Sequence, residues 1–207
     1  MEVSETDSEP SHPQDLPVSA QKIIEEIKSL EKELIGIQES CLHPKYTVKN
    51  CQDSSTRGFS LKRICDVCQS DLGYPTQQET DEVYMGVALL HSKLSKGKRL
   101  KVGACLVLES GVIIGATNGL PKQLGNELEE LDLTTGELVS KREVIHAEQQ
   151  CLNKSCLEGV STKNSKMWVT HIPCRHCCSN MIAAGVTQVT WQETYRDTSG
   201  LDLLKQA

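Results

Sequence analysis

Apolar residues near the start of the chain recur at Ile23, Ile27, Leu30, Leu34 and Ile37, in steps of four, three, four and three. Glu25, Glu26, Lys28, Glu31, Lys32 and Glu33 fill the intervening positions. That spacing predicts an amphipathic helix over about residues 19–40 with an apolar stripe two heptads long. The stripe suits packing on the helix's own domain or pairing with another helix, and two heptads are short for an independent coiled coil. Before it, residues 1–19 are rich in Ser, Pro and acid, show no apolar period, and read as a disordered tail. From Thr80 the pattern changes. Thr80-Asp81-Glu82 reads as a helix start, followed by Val83, Val87, Leu90 and Leu94 at helical spacing. Apolar runs at 102–108 and 112–117 flank Ser110-Gly111 and predict a hairpin. The polar stretch 120–142 reads as a long loop. Then come a helix over 146–157, a strand over 167–170, a helix over 174–184 ended by Gly185, a strand over 186–191 and a last helix from Ser199. This order predicts an α/β fold with a mixed sheet and helices on both faces.

The 207 residues suit one domain with a small attachment, divided here as 1–19, 20–79 and 80–207. Aromatic residues make up 3%, so the core is expected to be built from Val, Ile, Leu and Ala. Net charge is −6, and Glu2, Glu5, Asp7, Glu9 and Asp15 in the tail account for most of it. A near-neutral body with few aromatic platforms argues against a nucleic-acid partner. No apolar run reaches the roughly 18 residues of a membrane span, and the acidic start lacks the features of a signal peptide. A soluble, cytoplasmic protein is expected.

Ten cysteines then change the picture. In a reducing compartment, clustered cysteines point to metal before disulfides. Cys41-Leu-His43 is followed by Cys65-Asp-Val-Cys68, two short chelating pairs that suit a closed, tetrahedral structural zinc. Cys51 could replace a member of the first pair, and free thiols or a redox pair are the other readings. So small a segment needs such a staple to hold its fold. Cys105, Cys151 and Cys156 lie in apolar surroundings and read as small core residues.

The second half holds His146-Ala-Glu148 and, further on, Pro173-Cys174-Arg-His-Cys177. One His and two Cys make three protein ligands and leave a fourth zinc position for water, which marks a catalytic metal. Both ligand sets fall at expected helix N-termini, where the helix dipole and free N–H groups favour thiolate. Glu148, two residues from a ligand, is placed to carry a proton from water to a leaving amine. The bland alternative is a second structural zinc completed by Cys178 or His176.

Residues 80–207 resemble the deoxycytidylate (dCMP) deaminases of the cytidine deaminase-like superfamily. The matching segments are Lys101-Val102-Gly103-Ala104, Thr117-Asn118-Gly119-Leu-Pro121, Val144-Ile-His146-Ala147-Glu148, Thr170-His-Ile-Pro173-Cys174-x-x-Cys177, and Ala184-Gly185-Val186 leading to Tyr195. The resemblance implies a three-layer α/β/α fold with a catalytic zinc on His146, Cys174 and Cys177, and Glu148 as the catalytic residue. It also implies deamination of dCMP to dUMP and ammonia, which supplies thymidylate synthesis. Substrate contacts then fall to Asn118, at the sugar, and to Ala147 and Tyr195. A homo-oligomer, commonly a hexamer, with dCTP and dTTP as effectors is implied as well. The sequence departs from the family where Gln149, Gln150 and Cys151 follow the His-Ala-Glu, and where residues 120–142 are acidic. The basic loop with Lys93, Lys96, Lys98, Arg99 and Lys101 offers phosphate contacts or a solvated surface. A polynucleotide deaminase and a non-enzymatic deaminase-like scaffold are the competing functions.

Overall fold

The computed structural model describes residues 18–53, 58–194 and 198–207, so the tail expected over 1–19 lies almost wholly outside them. In chain order the elements are α1 (Val18–Ser40), β1 (Tyr46–Asp53), β2 (Gly58–Cys65), α2 (Gln77–Ser92), β3 (Gly103–Val107) and β4 (Ile113–Thr117). They continue as β5 (Glu129–Leu131), β6 (Leu138–Ser140), α3 (Ala147–Leu157), β7 (Ser165–His171), α4 (Arg175–Ala183), β8 (Val186–Glu193) and α5 (Ser199–Gln206). None of the helices among the described residues is long and apolar enough to cross a membrane. The chain divides into two compact units. The smaller runs to Thr47 and takes in Arg63–Gly73; the larger comprises Val48–Lys62 and Tyr74–Ala207.

In the smaller unit the expected heptad helix forms as α1, but none of its residues is buried. Ile23, Ile27, Leu30, Leu34 and Ile37 are all exposed.

In the larger unit the main sheet runs β4-β3-β7-β8. β3 pairs antiparallel with both β4 and β7, while β7 and β8 run parallel. Side chains alternate across a strand, so β3 sends Ala104 and Leu106 to one face and Cys105 and Val107 to the other. The first face meets α3, α4 and α5 through Ala147, Cys151, Leu152, Cys178, Met181, Leu203 and Leu204. The second meets α2 through Tyr84 and Ala88, with Trp168 of β7 beside them. This is the mixed three-layer α/β/α arrangement expected from the sequence. Trp168 is buried because its Nε1 donates to Asp81 Oδ1 at 2.8 Å, which satisfies its one polar atom.

Four expectations change. First, α2 starts three residues earlier than Thr80, at Gln77, because Thr76 and Glu79 form a reciprocal capping box. Second, its buried face carries Tyr84 and Ala88, while Leu90 and Leu94 are exposed; the apolar period read from sequence was one position out of phase. Third, the stretch 120–142 is not a plain loop. It contains a 3-10 turn at Lys122–Leu124 and the β5–β6 hairpin, with Glu129 opposite Ser140. Three-residue strands built from acids are too short to show an alternating pattern. Fourth, Cys105 and Cys151 are fully buried as expected, but Cys156 is exposed on the outer side of α3.

Candidate active site

His146 and Cys174 are N-cap residues of α3 and α4, with nearly equal backbone angles (φ −68°, ψ 156° and φ −68°, ψ 162°). Extended backbone at an N-cap turns the side chain away from the helix axis, so both ligands project from helix ends. The two helices are tied side by side where Asn180 Nδ2 donates to Gln149 Oε1 at 2.6 Å. The residues before α3 are fixed as well: Gly119 and Ile145 exchange backbone hydrogen bonds of 3.0 and 2.8 Å, joining the end of β4 to the approach to His146.

His146 Nδ1 lies 3.5 Å from Cys174 Sγ and 3.4 Å from Cys177 Sγ, and the three donor atoms all fall within 4.8 Å of one another. Bond lengths of about 2.3 Å to sulfur and 2.0 Å to nitrogen give a tetrahedral S···N edge of about 3.6 Å, so the donor set fits zinc. Cys177 sits one turn into α4, which lets the Cys174–Cys177 pair chelate from a single helix end. The Cys174 thiol is pulled down to about 3 by hydrogen bonds from Cys177 and His146. Cys177 is correspondingly pushed up, because the neighbouring thiolate and burial both disfavour a second negative charge. A cation among them removes that conflict. Cys178 is buried and contacts the Pro173 carbonyl at 3.6 Å, and His176 is exposed; neither joins the donor group.

Glu148 occupies the first turn of α3 and is only 3% exposed, yet it lines an open cavity of about 510 Å³. Burial raises its proton affinity above that of an ordinary carboxylate, partly offset by a backbone hydrogen bond and by His146. The same cavity is lined by His146, Cys174, Asn118, His171 and Ile172, and by three cations: Arg99, Lys141 and Arg142. Asn118 is held in one orientation. Its Oδ1 accepts from Ser95 Oγ (2.7 Å) and the Val102 N–H (2.9 Å), and its Nδ2 donates to Leu100 O at 3.1 Å. His171 is held between Thr170 Oγ1 at 2.9 Å and Glu193 at 3.2 Å. Ala147 is fully buried in the core between α3 and the sheet, and Tyr195 lies outside the described residues.

Sequence reasoning singled out Arg99 only as one of five basic loop residues, and it missed Lys141, Arg142 and His171. Their one available signal was proximity: Lys141 and Arg142 lie four to five residues before His146, and His171 three before Cys174.

A second donor group stands in the smaller unit. Cys41, His43, Cys65 and Cys68 bring their ligand atoms within 4.8 Å of one another. Cys41 Sγ is 3.7 Å from Cys65 Sγ, and Cys68 Sγ is 3.5 Å from His43 Nδ1. These match tetrahedral zinc edges of about 3.8 Å between sulfurs and 3.6 Å between sulfur and nitrogen. Cys51 is not in the group; its Sγ contacts the Lys49 carbonyl at 3.8 Å. The local fold makes the cluster from two turns. His43 adopts φ 49° after α1 ends, and Cys65–Cys68 turns at the end of β2, with the Asp66 N–H donating to Lys45 O at 3.1 Å.

Residues 78–193 match the family model described as the cytidine and deoxycytidylate deaminase zinc-binding region. The ComE operon protein 2 of Bacillus subtilis is 30% identical over 116 residues, which are 56% of this chain and 60% of that protein. The human deoxycytidylate deaminase is 30% identical over 125 residues, 58% of this chain and 68% of that one. Among solved structures, the dCMP deaminase of cyanophage S-TIM5 in complex with dCMP and dUMP is 36% identical, with a TM-score of 0.56. The match covers 64% of this chain and 94% of the phage protein.

Proposed function

Because the chain belongs to the cytidine and deoxycytidylate deaminase zinc-binding family, we propose that it hydrolyses dCMP to dUMP and ammonia, the reaction that supplies thymidylate synthesis. The observation that carries this reading is one cavity shared by the His146/Cys174 ligands, a buried Glu148 and three cations. The first two features suit deamination of an amidine carbon. The third suits an anionic substrate and so favours a nucleotide over a nucleoside.

His146, Cys174 and Cys177 would hold the catalytic zinc, and when bound it supplies a Lewis-acidic position that makes a water acidic near neutral pH. Glu148 then moves protons. Its carboxylate takes one from the attacking water and delivers it to cytosine N3; the second water proton follows to N4. The water oxygen ends bonded to C4, the C4–N4 bond breaks, and ammonia leaves. Burial of Glu148 serves both halves of this cycle, since a raised proton affinity lets the carboxylate accept a proton and retain it until N4 needs it. Asn118 has one amide hydrogen beyond that given to Leu100 O, available to the sugar. Arg99, Lys141 and Arg142 would meet the 5′-phosphate through charge-assisted hydrogen bonds.

The proposal extends to a second, structural zinc on Cys41, His43, Cys65 and Cys68. Four protein donors close that site to water, so it has no catalytic position. A cytoplasmic homo-oligomer, a hexamer by family likeness, with dCTP and dTTP as effectors completes the reading; a rate indifferent to dTTP removes its regulatory part. The test of substrate is ammonia release from dCMP, deoxycytidine, dCTP and a short cytosine-containing single strand. Turnover strongest on dCMP is expected. Turnover of the strand alone would move the function to nucleic acid.

A further inference from the structure

The cations of the cavity come from two separate stretches: Arg99 from the loop between α2 and β3, and Lys141 and Arg142 from the segment after β6. Glu129 connects the first stretch to the strand that leads into the second. Glu129 Oε1 accepts the backbone N–H of Lys98 at 2.9 Å and that of Arg99 at 3.1 Å. The Glu129 backbone meanwhile pairs with Ser140, directly before Lys141. The neighbouring Leu128, 2% exposed, anchors the hairpin and accepts the Lys141 N–H through its carbonyl at 2.9 Å. A further contact of the Arg99 loop, the ion pair of Lys98 Nζ with Glu127 just before β5 at 2.9 Å, is largely solvent-exposed and holds little.

The loop itself leaves few other ways to fix Arg99. Its entry is pinned by the buried Ser95, whose Oγ accepts the Gly97 N–H at 3.1 Å, and by Asn118 at Leu100 and Val102. Gly97 packs so closely that an added Cβ would sit 2.6 Å from the Leu100 carbonyl. Lys98 and Arg99 lie between these pins, and the Glu129 carboxylate takes both of their amides. The second oxygen, Oε2, is buried with no hydrogen-bond partner among the described residues. The contact to Lys98 and Arg99 is thus kept at a desolvation cost.

We propose that Glu129 is a positioning residue for nucleotide recognition: it holds the Lys98–Arg99 backbone so that Arg99 joins Lys141 and Arg142 around the substrate phosphate. This rests on the nucleotide reading of the cavity. Glu129 acts through Arg99 and does not itself touch substrate.

The test is calorimetric binding of dUMP and of 2′-deoxyuridine, which differ only in the phosphate, to the full-length zinc-loaded protein. Zinc content and thermal melting are checked for every variant. Glu129→Ala is expected to weaken dUMP binding about tenfold, the scale of one lost contact to a charged group. Deoxyuridine binding moves less than about twofold, because its contacts share no partner with Glu129. Glu129→Gln, which keeps an acceptor oxygen for the two amides, retains most of the dUMP affinity. Arg99→Ala reproduces the selective loss, and Glu129→Ala added to Arg99→Ala weakens dUMP no further, as expected for residues that act as one unit. If Glu129→Ala does not fold, Glu129→Asp, one methylene short of the two amides, takes its place with the same expectations. Equal weakening of both ligands, additivity with Arg99→Ala, or an unchanged preference for dUMP overturns the assignment of Glu129 alone. Wild-type protein that binds dUMP no better than deoxyuridine overturns the nucleotide reading as well.

Discussion

At the residue scale, burial decides which of the many cysteines can react. Cys105 is enclosed between the sheet and α2, and its thiol is pushed up to about 12 by desolvation. Cys151 is pushed up for the same reason, while Cys156, five residues further along α3, is exposed. A thiolate, not a thiol, attacks alkylating reagents. With zinc bound, peptide mapping after brief iodoacetamide treatment is expected to find Cys156 modified and Cys105 and Cys151 intact until the protein unfolds. Modification of Cys105 at a rate near that of Cys156 would contradict this packing. Leu106 gives a stability test at the same scale. It is fully buried in the larger core cluster, so Leu106→Ala is expected to lower the unfolding free energy by about 2–5 kcal/mol in urea titration.

At the element scale, legibility followed the range of the interactions. The H-x-E and P-C-x-x-C segments were readable because helix N-caps place their ligands locally; His146 and Cys174 occupy the positions expected for them. The β3–β4 hairpin was readable because two apolar runs flank Ser110-Gly111. The phase of α2 was not. Its buried face is chosen by Trp168 and Cys105 on the sheet, and Tyr84 fills that space where a Val-Leu stripe had been expected. The β5–β6 hairpin was hidden for a different reason. It is held by the Leu128 carbonyl, which accepts from the Lys141 N–H, and by the Glu129 clamp on Lys98, 31 residues away, contacts that leave no periodic trace. The start of α2 offers a direct check: removal of the capping hydroxyl in Thr76→Ala should cost about 1 kcal/mol, read as a shift in the urea midpoint with unchanged slope. A shift in slope instead would mean that the variant altered more than the cap.

At the scale of the whole molecule, each of the two units carries its own donor group, one of three residues and one of four. Metal analysis of protein purified without chelator is expected to give two zinc ions per chain, and Cys65→Ala to give one. With that zinc absent, segment 41–73 should become the first site of proteolytic cutting, since so short a stretch buries little apolar surface of its own. A Cys65→Ala protein that still holds two zincs would contradict the four-donor site. The deamination reading rests on the other group, where His146, Cys174 and the buried Glu148 line a cavity with three cations. It is tested most directly by steady-state release of ammonia from dCMP by zinc-loaded wild type and Glu148→Gln, with zinc content measured on both. The account predicts turnover by wild type and a loss of at least about 100-fold in kcat for the variant, the general acid–base contribution, at unchanged zinc content. A zinc-replete Glu148→Gln protein that still deaminates dCMP near the wild-type rate would contradict it.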